Sequence, residues 1–234
     1  EGGAVVVMDV NTGEVLALAS YPTYNLSTFR QDITELNQDP GRPMYNRAVQ
    51  GAYPPGSTFK MVTAVAGLEE GIITPETRIR DQGRYMYYAP DYTPACWIYN
   101  DTGGTHGNIN VSQAIQYSCN YFFYEVSRLL GIDKLNEYAK QFGLGQPTGL
   151  ELGEAKTNLA GPESREANGG PRWELGETIQ AGIGQSEQLF SPVQICSYIA
   201  TIANGGTRYR PHLLKEVWNY SYTEQLEVIE PEVV

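Results

Sequence analysis

From Met61 to Leu68 the chain reads Met-Val-Thr-Ala-Val-Ala-Gly-Leu, apolar or small at every position, directly after Tyr53-Pro54-Pro55-Gly56-Ser57-Thr58-Phe59-Lys60. A helix that is apolar all round has to lie inside a fold, and two prolines and a glycine stop whatever precedes it. The first turn of that helix carries Ser57 and Lys60, which a three-residue spacing makes neighbours. A neutral lysine amine placed there can take the serine proton and make Ser57 a nucleophile. The helix N-terminus favours negative charge developing at the same place and disfavours the protonated lysine. Chance supplies about one S-x-x-K in a chain of this size. The weight of this one comes from its position behind the Pro-Pro-Gly stop, where Ser57 falls at an N-cap or first-turn site.

The remaining composition is that of a globular protein, 41% hydrophobic and 18% charged over 234 residues, enough for one sizeable core or two lobes. Acidic residues outnumber basic ones 27 to 16, for a net charge of −11. That balance argues against nucleic acid or an anionic membrane surface as the partner. No apolar run is long enough to span a membrane, and Glu1-Gly2-Gly3 leads straight into strand-like sequence, so the chain reads as beginning inside a fold. Cys96, Cys119 and Cys196 show no C-x-x-C spacing and His106 and His212 no H-E-x-x-H spacing, so the expectation is no metal site, no cofactor and at most one disulfide.

Along the chain, Ala4–Val10 and Glu14–Ser20 flank Asn11-Thr12-Gly13 and read as a buried hairpin. A short helix is expected after Asn25, and a segment rich in Tyr and Trp between Arg84 and Tyr99 either lines a groove or covers a core. Asn110-Val111-Ser112-Gln113 has capping-box form and opens a helix. Its pattern is interrupted at Ser118-Cys119-Asn120 and resumes to Gly131, which fits two helices joined at a tight polar bend. Ser118 and Asn120 are then either caps or side chains presented to a cleft. A further helix covers Ile132 to Phe142, residues Glu151 to Trp173 read as exposed loop, and Ser191-Pro192 starts a helix stopped by Asn204-Gly205-Gly206. Leu213–Val217 and Leu226–Ile229 look like strands.

Taken together, these segments resemble the transpeptidase domain of class B penicillin-binding proteins, the serine acyl-transferases that cross-link bacterial peptidoglycan. The likeness runs through Thr12-Gly13-Glu14-Val15-Leu16-Ala17-Leu18-Ala19-Ser20-Tyr21-Pro22, Asn46-Arg47-Ala48, Pro55-Gly56-Ser57-Thr58-Phe59-Lys60 and Ser118-Cys119-Asn120. It continues through Gly182-Ile183-Gly184-Gln185, Ser191-Pro192-Val193-Gln194, Ile202-Ala203-Asn204-Gly205-Gly206 and Pro211-His212-Leu213. The resemblance implies an α/β fold of α+β type, similar to serine β-lactamases, in which an antiparallel sheet adjoins a helical lobe. On that plan residues 1–60 are the hairpin and lead-in to the catalytic helix, 61–190 a mainly helical lobe, and 191–234 a helix and the start of the C-terminal sheet. It makes Ser57 the acylated nucleophile, Lys60 its proton partner, and Ser118 and Asn120 the S-x-N motif that relays protons and holds the substrate amide. It implies peptidoglycan stem peptides as substrates, β-lactams as inhibitors, a membrane glycosyltransferase as partner and an extracytoplasmic location behind an N-terminal anchor.

The same resemblance implies a third motif, K-T-G, after Pro211-His212-Leu213, on a strand that supplies one of two oxyanion-hole donors worth roughly 3 kcal/mol each. The 234 residues do not contain it; Lys156-Thr157-Asn158 lacks the glycine, lies upstream and reads as solvated loop. The chain is therefore expected to be a fragment, less stable and less active alone than when extended through that strand. Two other functions fit parts of the pattern. A serine β-lactamase needs a base for deacylation, and Glu163, Glu166 and Asn168 depart from the spacing that would supply one. A non-catalytic penicillin-binding sensor would tolerate loss of K-T-G, but the intact Ser57, Lys60, Ser118 and Asn120 favour an enzyme.

Overall fold

The computed structural model describes residues 2–234. In chain order its elements are strands β1 (Gly3–Met8) and β2 (Val15–Tyr21), helix α1 (Phe29–Gln38), a 3-10 turn (Gly56–Phe59), α2 (Lys60–Glu69), β3 (Ile79–Asp81), α3 (Trp97–Thr102), β4 (Gly107–Ile109), α4 (Val111–Gln116), α5 (Asn120–Gln141), α6 (Pro162–Ala167), α7 (Leu175–Ala181), α8 (Pro192–Ala203), β5 (Glu216–Trp218) and β6 (Gln225–Val228). Strands pair antiparallel as β1–β2, β3–β4 and β5–β6. The chain divides into two compact units. One takes in residues up to Tyr53, Phe142–Thr157 and Phe190–Val234; the other takes in Pro54–Gln141 and Asn158–Leu189.

In the first unit the β1–β2 hairpin forms where the sequence places it, but it is not buried throughout. Successive side chains leave a strand on opposite faces. Val5 and Val7 are therefore exposed, and a bulge at Leu16 resets the alternation in β2, so that Val15 and Leu18 share a face and pack with Val6 and Met8 against Val49, Leu150 and Val193 while Leu16 is exposed. The His212 segment runs beside the hairpin, its carbonyl accepting from Val15 N at 2.9 Å and its N–H donating to Gly13 O at 3.1 Å. The strands expected near Leu213 and Leu226 pair with each other instead, as β5 and β6. Ser191 caps α8 through a capping box with Gln194, and Asn204-Gly205-Gly206 ends it as read.

The second unit is built around α2 packed on α5. A side chain on Gly67 would meet Val126 Cγ1 at 2.8 Å, so the glycine sets the approach of the two helices. Ala64, Ala66, Phe122, Phe123, Val126, Ile179 and Ile183 fill the space between α2, α5 and α7. Asn110 caps α4 through the anticipated capping box. Gly131, at φ +77°, breaks α5 where the sequence pattern ends one helix and begins another. The stretch read as exposed loop from Glu151 to Trp173 is partly internal: Asn158 pairs with Leu189, Ala160 is fully buried, and α6 buries Arg165. Arg165 pairs with Glu177 and with Glu187 and lies 4.8 Å from the Trp173 ring, partners that no local pattern announces.

Candidate active site

Ser57 is not an N-cap. It is the second residue of the 3-10 turn, exposed, with Pro55 at the cap position and α2 starting only at Lys60. A 3-10 turn stacks residues three apart over one another, so the spacing still sets both side chains on one face. The Ser57 N–H lies in the first turn, where the turn itself supplies no carbonyl to accept it. The turn is held from behind by Gly184, whose carbonyl accepts from Gly56 N at 2.9 Å. Gly184 sits at φ +73°, and a Cβ there would lie 2.0 Å from Gly56 O, so only glycine fits. Thr63 Oγ1 donates to Gly182 O at 2.7 Å and fixes the same segment to α2.

The Lys60 side chain is 2% exposed and turned toward the bend between α4 and α5. Its Nζ donates to Ser118 O at 2.8 Å, Ser118 Oγ at 3.1 Å and Asn120 Oδ1 at 2.6 Å. Ser118 adopts the left-handed region at φ +51°, the strained conformation that aims both its oxygens at the amine. Of the two local readings of Ser118 and Asn120, the structure selects presentation to the lysine. Burial lowers the Lys60 pKa to about 8 against the opposing charge of Cys119 and Cys96. The structure thus brings Lys60, Ser118 and Asn120 into one hydrogen-bonded set, with Ser57 one turn before Lys60 in the chain. On the neighbouring helix α7, Gln180 Nε2 donates to the Tyr92 hydroxyl. Tyr88, Tyr92 and Trp173 wall a cavity of about 1070 Å³ on that side. In the aromatic segment, Tyr85 is buried against Tyr121 and Tyr124, whereas Tyr87 is exposed, so it both covers core and lines a cavity.

Sequence spacing missed a second cluster. Asp81 at the end of β3, Cys96 before α3, His106 before β4 and Cys119 at the α4–α5 bend present donor atoms that all lie within 4.8 Å of one another. The Cys96 and Cys119 sulfurs are 3.8 Å apart, Cys96 Sγ is 3.6 Å from His106 Nδ1, and Cys119 Sγ is 3.6 Å from Asp81 Oδ2. Two sulfurs at about 2.3 Å from a tetrahedral zinc lie about 3.8 Å apart, and a sulfur and a nitrogen or oxygen about 3.5 Å. His106 Nδ1 and Asp81 Oδ2, hydrogen-bonded at 2.9 Å, are closer than such a site needs by a few tenths of an ångström. The donor set and spacing therefore fit a tetrahedral divalent cation, contrary to the absence of metal spacing in the sequence; the ligands come from four separate segments. Burial pushes the Asp81 carboxyl up, but bonds from the backbone of His106 and Gly83 and from the His106 ring hold it below the usual range. The two thiols share a proton: the hydrogen bond from Cys119 lowers Cys96 to about 6, and Cys119 is raised in return.

The chain matches the penicillin binding protein transpeptidase domain family over residues 3–233. It is 38% identical over 219 residues to peptidoglycan D,D-transpeptidase MrdA of Acinetobacter baumannii, covering 91% of this chain and 32% of that protein. A solved chain described under structural coordination of polymerization and crosslinking by a peptidoglycan synthase complex superimposes with TM-score 0.85 at 35% identity, covering 99% of this chain and 39% of the other. Penicillin-binding protein A from Mycobacterium tuberculosis, solved as its penicillin G acyl-enzyme complex, gives TM-score 0.82 at 27% identity, covering 99% and 52%. The chain spans about a third of the length of the MrdA proteins it matches. The fold implied by the sequence resemblance is the one these structures share with it, and the chain belongs to the penicillin-binding-protein transpeptidase domain family.

Proposed function

We propose that the chain carries the acyl-transfer site of a peptidoglycan D,D-transpeptidase, with Ser57 as nucleophile, Lys60 as its proton partner, and Ser118 and Asn120 as the S-x-N motif. The observation that supports this most is the buried Lys60 amine held by Ser118 and Asn120, one turn after an exposed Ser57. In this reading the Ser57 hydroxyl loses its proton toward the neutral Lys60 amine and attacks the penultimate D-Ala carbonyl of a stem peptide. The Ser57 N–H stabilises the oxyanion. The terminal D-Ala leaves with a proton returned through Lys60 and Ser118, and an amine from a neighbouring strand then takes the acyl group. β-Lactams acylate the same serine. The MrdA relatives, named for this activity, support the substrate class.

The wider expectations belong to the same proposal: an extracytoplasmic site and a glycan-polymerising membrane partner. Among the described residues no helix is long and apolar enough to cross a membrane. The division of the chain into a hairpin segment at 1–60, a helical lobe at 61–190 and a C-terminal sheet region at 191–234 is likewise proposed as the functional layout. Intact-mass measurement of the chain after exposure to a penicillin tests the central claim. The expected result is one adduct per chain that the Ser57→Ala variant does not form. An adduct that persists in the variant refutes the assignment, and rapid turnover of the penicillin points to a β-lactamase.

A further inference from the structure

The cavity walled by Tyr88, Tyr92 and Trp173 has no part in the proton transfers of Ser57 and Lys60. It measures about 1070 Å³, and all of its lining belongs to the second unit. Its aromatic residues, each half-buried, are fixed by the fold. Tyr92 N donates to Tyr88 O at 3.0 Å, which closes the turn between them. The Tyr92 ring rests on α7, where a Cβ on Gly176 would meet it at 2.7 Å. Trp173 Nε1 donates to Thr178 Oγ1 at 3.1 Å, and the Arg165 guanidinium lies over the Trp173 ring.

The polar part of the lining is left open. Asp91 and Arg172 are exposed, and among the described residues neither side chain makes a hydrogen bond or an ion pair, although both line this cavity and their charges are opposite. The lining as a whole is close to neutral, with Asp91, Glu174 and Glu177 set against Arg165 and Arg172, and with Arg165 and Glu177 paired. Aromatic rings, balanced charge and free polar groups together suit an uncharged, hydroxyl-rich ligand. The C–H faces of a sugar ring pack on aromatic faces, while the groups at its edge need hydrogen-bond partners. The Asp91 carboxylate only accepts and the Arg172 guanidinium only donates, which complements the N–H and the C=O of an acetamide.

We infer that this cavity is a carbohydrate subsite, holding a short run of N-acetylated amino sugars from the glycan whose stem peptide reaches Ser57. Its volume stands at the upper end of small-ligand sites, roughly 300–1,000 Å³, so it takes a few sugars and not one alone. It is also continuous with the acyl-transfer site. Gln180 and Ser186 line it and bracket the segment Gly182–Gly184, whose carbonyls accept from Thr63 Oγ1 on α2 and from Gly56 N in the turn that carries Ser57. A glycan seated there has its peptide arm tethered near the nucleophile, which raises the arm's effective concentration at Ser57. The choice of an N-acetylated glycan rests on the proposed function; the binding of sugar is read without it.

The test titrates the chain with tri-N-acetylchitotriose, followed by calorimetry and by tryptophan fluorescence, and in parallel with an N-acetylated peptide ending in D-alanyl-D-alanine. The trisaccharide is expected to bind at a single site and to change the fluorescence of Trp173. Asp91→Ala and Arg172→Ala, at exposed positions without partners, are each expected to weaken it about tenfold or more, with thermal unfolding unchanged. Trp173→Phe is expected to abolish the fluorescence change while calorimetry still registers binding. Absence of both heat and fluorescence change at millimolar trisaccharide overturns the inference. Undiminished affinity in both surface variants, or a fluorescence change that survives Trp173→Phe, puts the sugar elsewhere on the chain and overturns it as well. If the peptide binds in place of the trisaccharide and loses affinity in the same two variants, the cavity belongs to the stem peptide and the glycan assignment falls. Penicillin labelling is read separately on the unmodified chain. Its failure refutes the acyl-transfer reading while the sugar titration still decides this one, and labelling without sugar binding refutes this inference alone.

Discussion

If Lys60 accepts the Ser57 proton, the rate of acylation follows the neutral fraction of its amine. Burial lowers the Lys60 pKa from 10.5 to about 8. At pH 7 about one amine in ten is then neutral, and at pH 9 about nine in ten. The rate constant for penicillin acylation is therefore expected to rise about tenfold between pH 7 and pH 9, with its midpoint near 8. The assay is time-resolved labelling with a fluorescent penicillin across that range, with Lys60→Arg as the control that cannot deprotonate. A rate independent of pH, a midpoint near that of a free lysine, or an arginine variant labelling at an undiminished rate would refute the reasoning. The same shift appears in stability, with a definite sign. Between pH 8 and 10.5 the unfolded chain binds a proton at this residue that the folded chain has released, so stability rises with pH through that window. A shift of this size is worth about 3 kcal/mol over the whole interval. The penalty is in full force below pH 8, and denaturant titrations at several pH values, compared with Lys60→Met, would show a slope in the native chain that the variant lacks.

Three further outcomes are expected. Asn120→Ala removes the shortest of the three bonds to the Lys60 amine, at 2.6 Å, and should slow acylation by 10- to 100-fold, consistent with about 1.5–3 kcal/mol for a hydrogen bond to a charged group; unchanged labelling would remove Asn120 from the site. Gly184→Ala puts a Cβ into Gly56 O at a backbone angle that L residues avoid, and should destabilise the chain by at least ~1–2 kcal/mol in a urea titration. Arg165→Met strands Glu177 and Glu187 beside Trp173, and should cost about 3 kcal/mol of stability, read by thermal unfolding, since breaking a partly buried ion pair leaves uncompensated charge.

The elements legible in advance were those carried by local chemistry. The capping residues Asn110 and Ser191, the Gly131 break and the hairpin around Gly13 all act within a few residues, and all appear where the sequence puts them. The short strand β4 and the helix α7 were not legible, because three- and seven-residue elements carry too little periodicity to register. The exposed loop reading failed at Arg165 for a different reason. A polar, acidic stretch looks solvated until Glu177 and Glu187, brought up from later in the chain, offer the buried arginine partners. The aromatic segment was open to two readings, and the structure uses both, because Tyr85 is buried against Tyr121 and Tyr124 while Tyr87, stacked beside it, stays exposed.

For the site, the sequence by itself determined the residue types and the short-range geometry: a serine and a lysine three apart at the start of an apolar helix, and a serine and an asparagine two apart at a polar bend. Those relations follow from bond lengths and helical repeat, which act over a turn. What only the tertiary structure decided is whom Lys60 faces, and what Cys119 meets. The amine reaches Ser118 and Asn120 because α2 packs against α5 through Gly67, and the depressed pKa follows from that burial. Asp81, Cys96, His106 and Cys119 converge because β3, α3, β4 and the α4–α5 bend close around one point. Convergence of this kind depends on packing between segments distant in sequence, where no local spacing rule holds.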